Sequence, residues 1–318
     1  MPVFFSYTRS CSRSADNPTC SRLLWPVLLL ISLFGTPSVF AAAYTLPENG
    51  DSVVGAVTSL RLVHEDTLAA VAEKYGIGYQ EIVDANPDVD PWLPGEGTLI
   101  KMPTQYILPD APRSGLVINI AEYRLYFYPP DSNRVITYPV GIGRTDFPTP
   151  LIETRVTGRI ENPSWTPTAA AREEHAAAGD ILPHVVPAGP DNPLGKLAIQ
   201  LAAPGYFIHG TNKPFGVGQM VSHGCIRLYD PHIATLAEMI PNGFPVYIVN
   251  QPFKVGWRGD RLYVESHRDL YTDDAYSEVE KAKMVQLVES AAQRKAATVD
   301  RQLVEVALQG PTGVPVSL

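Results

Sequence analysis

The chain has 318 residues, of which 45% are hydrophobic, and its 25 Lys+Arg against 33 Asp+Glu give a net charge of −8. That length admits one large or two modest domains with a real core. The absence of a basic stripe excludes the electrostatic footprint of a nucleic-acid binder. Thirty prolines, near one residue in eleven, favour a loop-rich or β-rich body over a helical bundle.

The N-terminus reads as a secretory signal peptide over residues 1–43. Arg9, Arg13 and Arg22 precede a twelve-residue apolar run from Leu23 to Phe34, and Ala41-Ala42-Ala43 supply small residues for cleavage. The run is shorter than the ~20 residues a membrane-spanning helix needs. Cleavage would remove a net +2, turning −8 into −10, and would take Cys11 and Cys20 with it. Cys225 would then be a lone thiol in an oxidising compartment, without an intramolecular disulfide partner.

From Tyr44 to Pro103 the pattern is βααβ. Thr67 follows Asp66 at a helix N-cap position, and Leu68, Val71, Ala72 and Tyr75 make one apolar face, stopped by Gly76 and Gly78. A second short helix runs from Tyr79 to Ala85 and ends at Asn86-Pro87. Strands are expected near residues 61–64 and 98–103. With Pro94-Gly95 in the turn, this unit resembles a LysM domain, although Glu65 stands where that family usually has Gly. The resemblance implies either a glycan-binding module for peptidoglycan or a spacer of the same fold. Residues 104–114 read as an extended proline-rich linker.

Residues 115–250 read as mainly β. Strands are expected at 116–120, 123–128, 135–140, 197–201, 206–209 and 244–249, with a helix from Asp230 (N-cap) to Ile240. Glu161 to Gly195 is a long proline-punctuated connection with one short helix near 169–178, the length of an active-site lid. Trp165, Arg172, His175 and His184 lie in it. Residues 251–318 are expected to add a β-hairpin around Arg258-Gly259-Asp260 and a C-terminal helix.

The chemistry concentrates in His209 to Leu228, HGTNKPFGVGQMVSHGCIRL. A thiol with an ordinary pKa of ~8.5 is mostly protonated at neutral pH and needs a base to act as a nucleophile. His209, at the end of a strand, is the candidate base for Cys225, with the Gly210 carbonyl fixing its tautomer. His223 is a second candidate. Backbone N–H groups of Gly224 and Cys225 are candidate oxyanion donors. If the stretch is extended, His223, Cys225 and Arg227 share one face. Arg227, Ser222 and Trp165 are the candidate substrate-binding residues. An Arg227–Asp230 ion pair, loop hydrogen bonds for Ser222 and Thr211, and packing for Trp165 are the alternatives.

His209-Gly210-Thr211 followed by Ser222-His223-Gly224-Cys225-Ile226-Arg227-Leu228 resembles the signature of the L,D-transpeptidase (YkuD-type) catalytic domain. The Ile226-Arg227-Leu228 ending is like that of the Gram-negative lipoprotein-attaching subgroup. The resemblance implies a β-sandwich-like domain under a lid, Cys225 as nucleophile, His209 as base, His223 near the oxyanion, and no cofactor or metal. It also implies a periplasmic enzyme whose partners are peptidoglycan stem peptides. The acyl group would pass from a tetrapeptide stem to an amine, either a C-terminal lysine of an outer-membrane lipoprotein or another stem in a 3→3 cross-link. The alternatives are hydrolysis of the stem peptide, a non-catalytic wall-binding protein, and a zinc hydrolase using His209, His223, Cys225 and His232. No short metal motif supports the last.

Overall fold

The computed structural model describes residues 41–270 and 276–318; the signal segment expected at 1–43 lies outside them except for its last three residues. The described residues are mainly β, with 29% strand and 23% helix. It begins with β1 (Ala42–Thr45), β2 (Val53–Gly55) and β3 (Thr58–Arg61). Two helices follow, α1 (Leu68–Tyr75) and α2 (Tyr79–Asp84), then β4 (Leu99–Met102), β5 (Gln105–Ile107), β6 (Gly115–Asn119), β7 (Arg124–Tyr128), β8 (Arg134–Pro139), β9 (Ile142–Gly143) and β10 (Glu153–Glu161). The second half contains α3 (Ala169–Ala177), β11 (Leu197–Leu201), β12 (Phe207–His209), β13 (Met220–Ser222), β14 (Ile226–Arg227), α4 (Asp230–Met239) and β15 (Pro245–Val249). It closes with β16 (Phe253–Arg258), β17 (Arg261–Ser266), α5 (Glu278–Arg294), α6 (Arg301–Leu308) and β18 (Val316–Ser317).

A nine-stranded sheet in the order β1-β8-β7-β6-β15-β10-β11-β12-β14 dominates the molecule. It turns at β10, whose first residues pair with β15 and whose last pair with β11 across an irregularity between Val156 and Gly158. Every residue of β6 and β7 is buried because both faces of the sheet are covered. On one face Leu116, Ile118, Leu125 and Phe127 pack with Ile199, Ile208, Ile226 and α4 residues Ile233 and Leu236. On the other, Val117, Tyr126 and Tyr128 pack with Val54, Tyr106 and Leu108.

Residues 58–102 form a βααβ unit with its own core of Leu62, Leu68, Val71, Ile77, Ile82 and Ile100. Its first strand lies three residues before the expected 61–64, because Asp66 Oδ2 captures the Val63 N–H at 2.8 Å and turns the chain there. Thr67 caps α1 by accepting from Ala70 N, and Gly76 ends it at φ +64. Buried Asn86 binds the Ile82 and Lys101 carbonyls and the Lys101 N–H, locking the end of α2 to β4.

Residues 44–57, expected within this unit, pair instead with the rest of the molecule: β1 with β8 and β2 with β5. Residues 104–114 are likewise not a free linker, since β5 is fully buried. In α4 the expected N-cap Asp230 is the first helical residue, and its carboxylate accepts from Thr211 N. The sequence reading also missed α6, whose Val304, Ala307 and Leu308 join α5 over the β16–β17 hairpin.

Two buried ionic groups hold these layers together. Arg124 on β7 forms a bidentate pair with Glu81 on α2, both bonds 2.6 Å, with Thr137 Oγ1 on a third nitrogen and the Tyr106 ring against the guanidinium. Lys254 on β16 donates to Glu122 and to the Ile107 carbonyl, and lies 3.2 Å from Glu265. Removing one partner of such a pair leaves a buried charge uncompensated, so Glu81→Ala should cost about 3–5 kcal/mol in urea unfolding. An Arg124→Met change in the Glu81→Ala background should recover part of that loss. Additive losses, or a cost below about 1 kcal/mol for the single variant, would contradict this account.

Candidate active site

The site is built where β12 pairs in parallel with β14, Ile208 opposite Ile226 and His209 opposite Arg227. Side chains level with each other in a parallel pair point to the same face, and the period of two brings Cys225 to the face of His209 and Arg227. Ile226, between them, turns into the core. His209 is buried, 3% exposed. Its Nδ1 lies 2.6 Å from the Gly210 carbonyl oxygen. A carbonyl only accepts, so Nδ1 bears the proton and Nε2 keeps its lone pair. Burial, assisted by the Arg227 charge, pulls the His209 pKa down to about 4, against the opposing pull of the Gly210 bond. The imidazole is therefore neutral at neutral pH. Gly210 is required by close approach: a Cβ there would stand 2.1 Å from Asp230 Oδ1.

Cys225 is a free, partly buried thiol. Its Sγ lies 3.7 Å from the Gly205 carbonyl oxygen, and among the described residues no hydrogen bond joins it to His209. Burial raises its pKa, while a backbone hydrogen bond from Phe207 and the Arg227 charge pull the other way. The resting pair is thus a neutral thiol and a neutral imidazole, in which Nε2 is the only lone-pair nitrogen.

The turn carrying Cys225 is fixed by two hydroxyls. Ser222 Oγ donates to the Cys225 carbonyl at 2.5 Å and accepts from Gly224 N at 3.1 Å. Thr149 Oγ1 donates to the Gly224 carbonyl at 3.0 Å and accepts from Gly143 N at 2.9 Å. Gly224 sits at φ +99, a conformation that glycine adopts without strain. This corrects two expectations. The Gly224 N–H is already engaged by Ser222, so of the two proposed oxyanion donors only the Cys225 N–H makes no hydrogen bond among the described residues. The positive φ also interrupts the strand between Ser222 and Ile226, so His223 does not share the face of Cys225 and Arg227. Ser222 holds the turn from within.

Arg227 forms no ion pair with Asp230 among the described residues; Asp230 is taken by Thr211. Its Nε is buried without a partner, and burial lowers its pKa. Its charge nonetheless acts on both neighbours, opposing protonation of His209 and favouring the thiolate of Cys225.

The long connection after β10 folds back on this face. Trp165 pairs with Val186 through two backbone bonds of 2.8 Å, and buried Asn192 ties the connection together through the Pro163, Val186 and Pro187 carbonyls. Trp165 is half-buried in this framework. Arg172 donates to the Pro167 carbonyl, His175 contacts Asp180, and His184 is exposed. The residue that reaches the site is Glu174 on α3. It receives Arg144 Nη1 and Nη2 at 2.5 and 2.9 Å and His223 Nε2 at 2.9 Å. The Arg144 and His223 hydrogen bonds hold its carboxyl at a pKa of about 2. His223 also stacks on Phe147, centroids 4.3 Å apart and planes 20° from parallel.

Arg144, Phe147, Thr149 and Glu174 were not singled out from the sequence. The available signal was the tight Gly143-to-Pro150 turn, whose glycine and prolines announce a fixed loop. Its partner, though, lies some 75 residues away. His232 is buried between Tyr138 and Tyr229, and burial lowers its pKa to about 4. It does not converge with His209, His223 and Cys225. The one three-residue group with metal-binding side chains among the described residues is Glu122, Glu265 and His267, where Lys254 already bridges the carboxylates.

A sequence profile of the L,D-transpeptidase catalytic domain (YkuD) matches residues 113–248. The chain is 48% identical over 238 residues to the probable L,D-transpeptidase YcfS of Escherichia coli K12, covering 72% of this chain and 74% of that one. It is 40% identical over 283 residues to the probable L,D-transpeptidase YbiS of the same strain, covering 87% and 92%. Identity to the probable L,D-transpeptidase ErfK/SrfK of that strain is also 40%, over 293 residues and 90% and 94% of the two chains. With 40–48% identity running over most of its length, this chain belongs to the L,D-transpeptidase family.

Proposed function

We propose that this protein is a periplasmic L,D-transpeptidase that acts on peptidoglycan tetrapeptide stems through a thioester on Cys225. The observation that supports this most directly is the His209 tautomer: Nδ1 bound to the Gly210 carbonyl, Nε2 unprotonated, on the face that carries the Cys225 thiol. In the first step Sγ attacks the carbonyl of the third stem residue as its proton passes to His209 Nε2. The oxyanion faces the Cys225 N–H. The imidazolium then protonates the departing amine, D-Ala leaves, and the acyl group remains on sulfur. In the second step an acceptor amine attacks the thioester, His209 takes a proton from it, and Cys225 leaves as the thiol.

The acceptor we favour is a lysine at the C-terminus of an outer-membrane lipoprotein, on the resemblance of the layout that joins a βααβ unit to the catalytic domain. A second stem, giving a 3→3 cross-link, and water, giving hydrolysis, are the other acceptors. The βααβ unit is read as a LysM-like module that holds glycan near the site. Mass analysis of purified muropeptides incubated with the enzyme, with and without a peptide matching a lipoprotein tail, separates the three. A stem–peptide adduct supports our choice; cross-linked dimers or shortened stems alone reject it.

Cys225→Ala should abolish D-Ala release from tetrapeptide stems, and His209→Gln should slow it by about 10²–10⁴-fold. D-Ala release at unaltered rate from the Cys225→Ala protein would overturn the thioester mechanism. Because His209 must be unprotonated to act and its pKa is lowered to about 4, the acid limb of kcat/KM should fall near pH 4. A limb centred near the ordinary histidine value of about 6.5 would mean that His209 is not the group taking the proton.

A further inference from the structure

We propose that Arg144 and His223 form a receptor for a carboxylate of the donor stem peptide, and that Glu174 of the lid fills it in the free enzyme. This rests on the tetrapeptide-donor reading above. The first ground is the geometry of the occupant. Arg144 presents both terminal nitrogens to Glu174, and His223 Nε2 meets the same carboxylate from a second direction. A planar fork and a third donor around one carboxylate make a recognition geometry that does not depend on which chain supplies the anion.

The second ground is exposure. The side chains of Arg144, Glu174 and His223 are 29%, 45% and 25% exposed, so the pairing contributes little to folding and its anion is exchangeable. Structural ion pairs elsewhere in the molecule, such as Glu81–Arg124 at 8% and 1%, are buried.

The third ground is anchoring. The Arg144 N–H donates to the Ser222 carbonyl at 2.9 Å, and Asp146 contacts the guanidinium at 3.2 Å from its own side. His223 is clamped by the Phe147 ring and lies two residues before Cys225. Donor and nucleophile supports are thus one piece of backbone, the turn held by Ser222 and Thr149. Glu174 comes from the separate lid helix α3 and can leave without disturbing that turn.

A tetrapeptide stem offers two such carboxylates near the scissile bond: that of the leaving D-Ala and the free one on the diaminopimelate side chain. Either would replace Glu174 on Arg144 and His223 as the donor enters, and departure of Glu174 would free the lid.

The test uses three synthetic stems: the free acid, one amidated at D-Ala, and one amidated at the diaminopimelate side-chain carboxyl. D-Ala or D-alaninamide release is followed for the intact protein and for Arg144→Ala and Glu174→Gln. We expect one amide to raise the KM of the intact protein at least about tenfold, and that amide identifies the carboxylate. Arg144→Ala should bring acid and amide within about twofold of each other. Glu174→Gln should lower the KM of the free acid while keeping the discrimination, a change that a misfolded variant does not produce. Equal KM for all three stems with the intact protein, or undiminished discrimination in Arg144→Ala, overturns the receptor and leaves the transpeptidase reading standing. Absence of release from every stem by the intact protein overturns the donor reading, and the receptor with it.

Discussion

The parallel pairing of Phe207–His209 with Ile226–Arg227 is the constraint on which the site depends. It places residues sixteen apart in sequence on one face of a sheet edge, and the chain between them must leave and return within a short distance. The His209 carbonyl accepts from Leu228 N at 2.8 Å, so the same ladder that joins the strands closes the excursion. The excursion is then gripped from outside. The first-turn N–H groups of α2, Tyr79 and Gln80, donate to the Val217 and Gly218 carbonyls, and the Tyr79 and Trp92 rings pack at a tilt against Phe215. Glu81, one residue further along α2, is the partner of buried Arg124. The βααβ unit is therefore bonded directly to the loop between His209 and Cys225, and its position is fixed by a buried ion pair.

The electrostatics of the pair follow from this packing. His209 sits in the core behind the sheet edge, where burial disfavours the cation. Arg227, level with it on the neighbouring strand, adds a positive charge that opposes a second one. Cys225 is less buried but is still held toward the neutral thiol. The thiol and the imidazole of this pair therefore carry no charge at rest. In the proposed mechanism, proton transfer from sulfur to Nε2 accompanies attack on the stem carbonyl.

Much of this was legible in the sequence, and the rest for identifiable reasons was not. A lone thiol, a strand-ending histidine with glycine after it, and the spacing His223-Gly224-Cys225 are local features; they name a candidate nucleophile and a candidate base, and the Gly210 carbonyl expected to fix the His209 tautomer does meet its Nδ1. The helices of the βααβ unit were read from apolar spacing and caps, and Thr67 and Gly76 perform those roles. What local reasoning misplaced depends on distant partners. The Gly224 N–H looked free for an oxyanion because nothing in the sequence says that the Ser222 hydroxyl turns back to it. Residues 104–114 looked like a linker because prolines frame them, yet β5 is held by Glu265, 158 residues away. Glu174, Arg144 and Thr149 are ordinary polar residues until the fold brings them to the turn that carries Cys225.

The central claim is that the resting site holds a neutral thiol beside a neutral imidazole protonated on Nδ1. Nitrogen-15 NMR of the His209 ring, followed from pH 4 to 9 in the intact protein and in Cys225→Ala, tests it most directly. The account predicts a pyrrole-type Nδ1 and a pyridine-type Nε2 throughout the neutral range, with protonation only near pH 4, and nearly the same spectrum without the thiol. A doubly protonated His209 at neutral pH that reverts to the neutral ring in Cys225→Ala would reveal a thiolate–imidazolium pair and contradict the account.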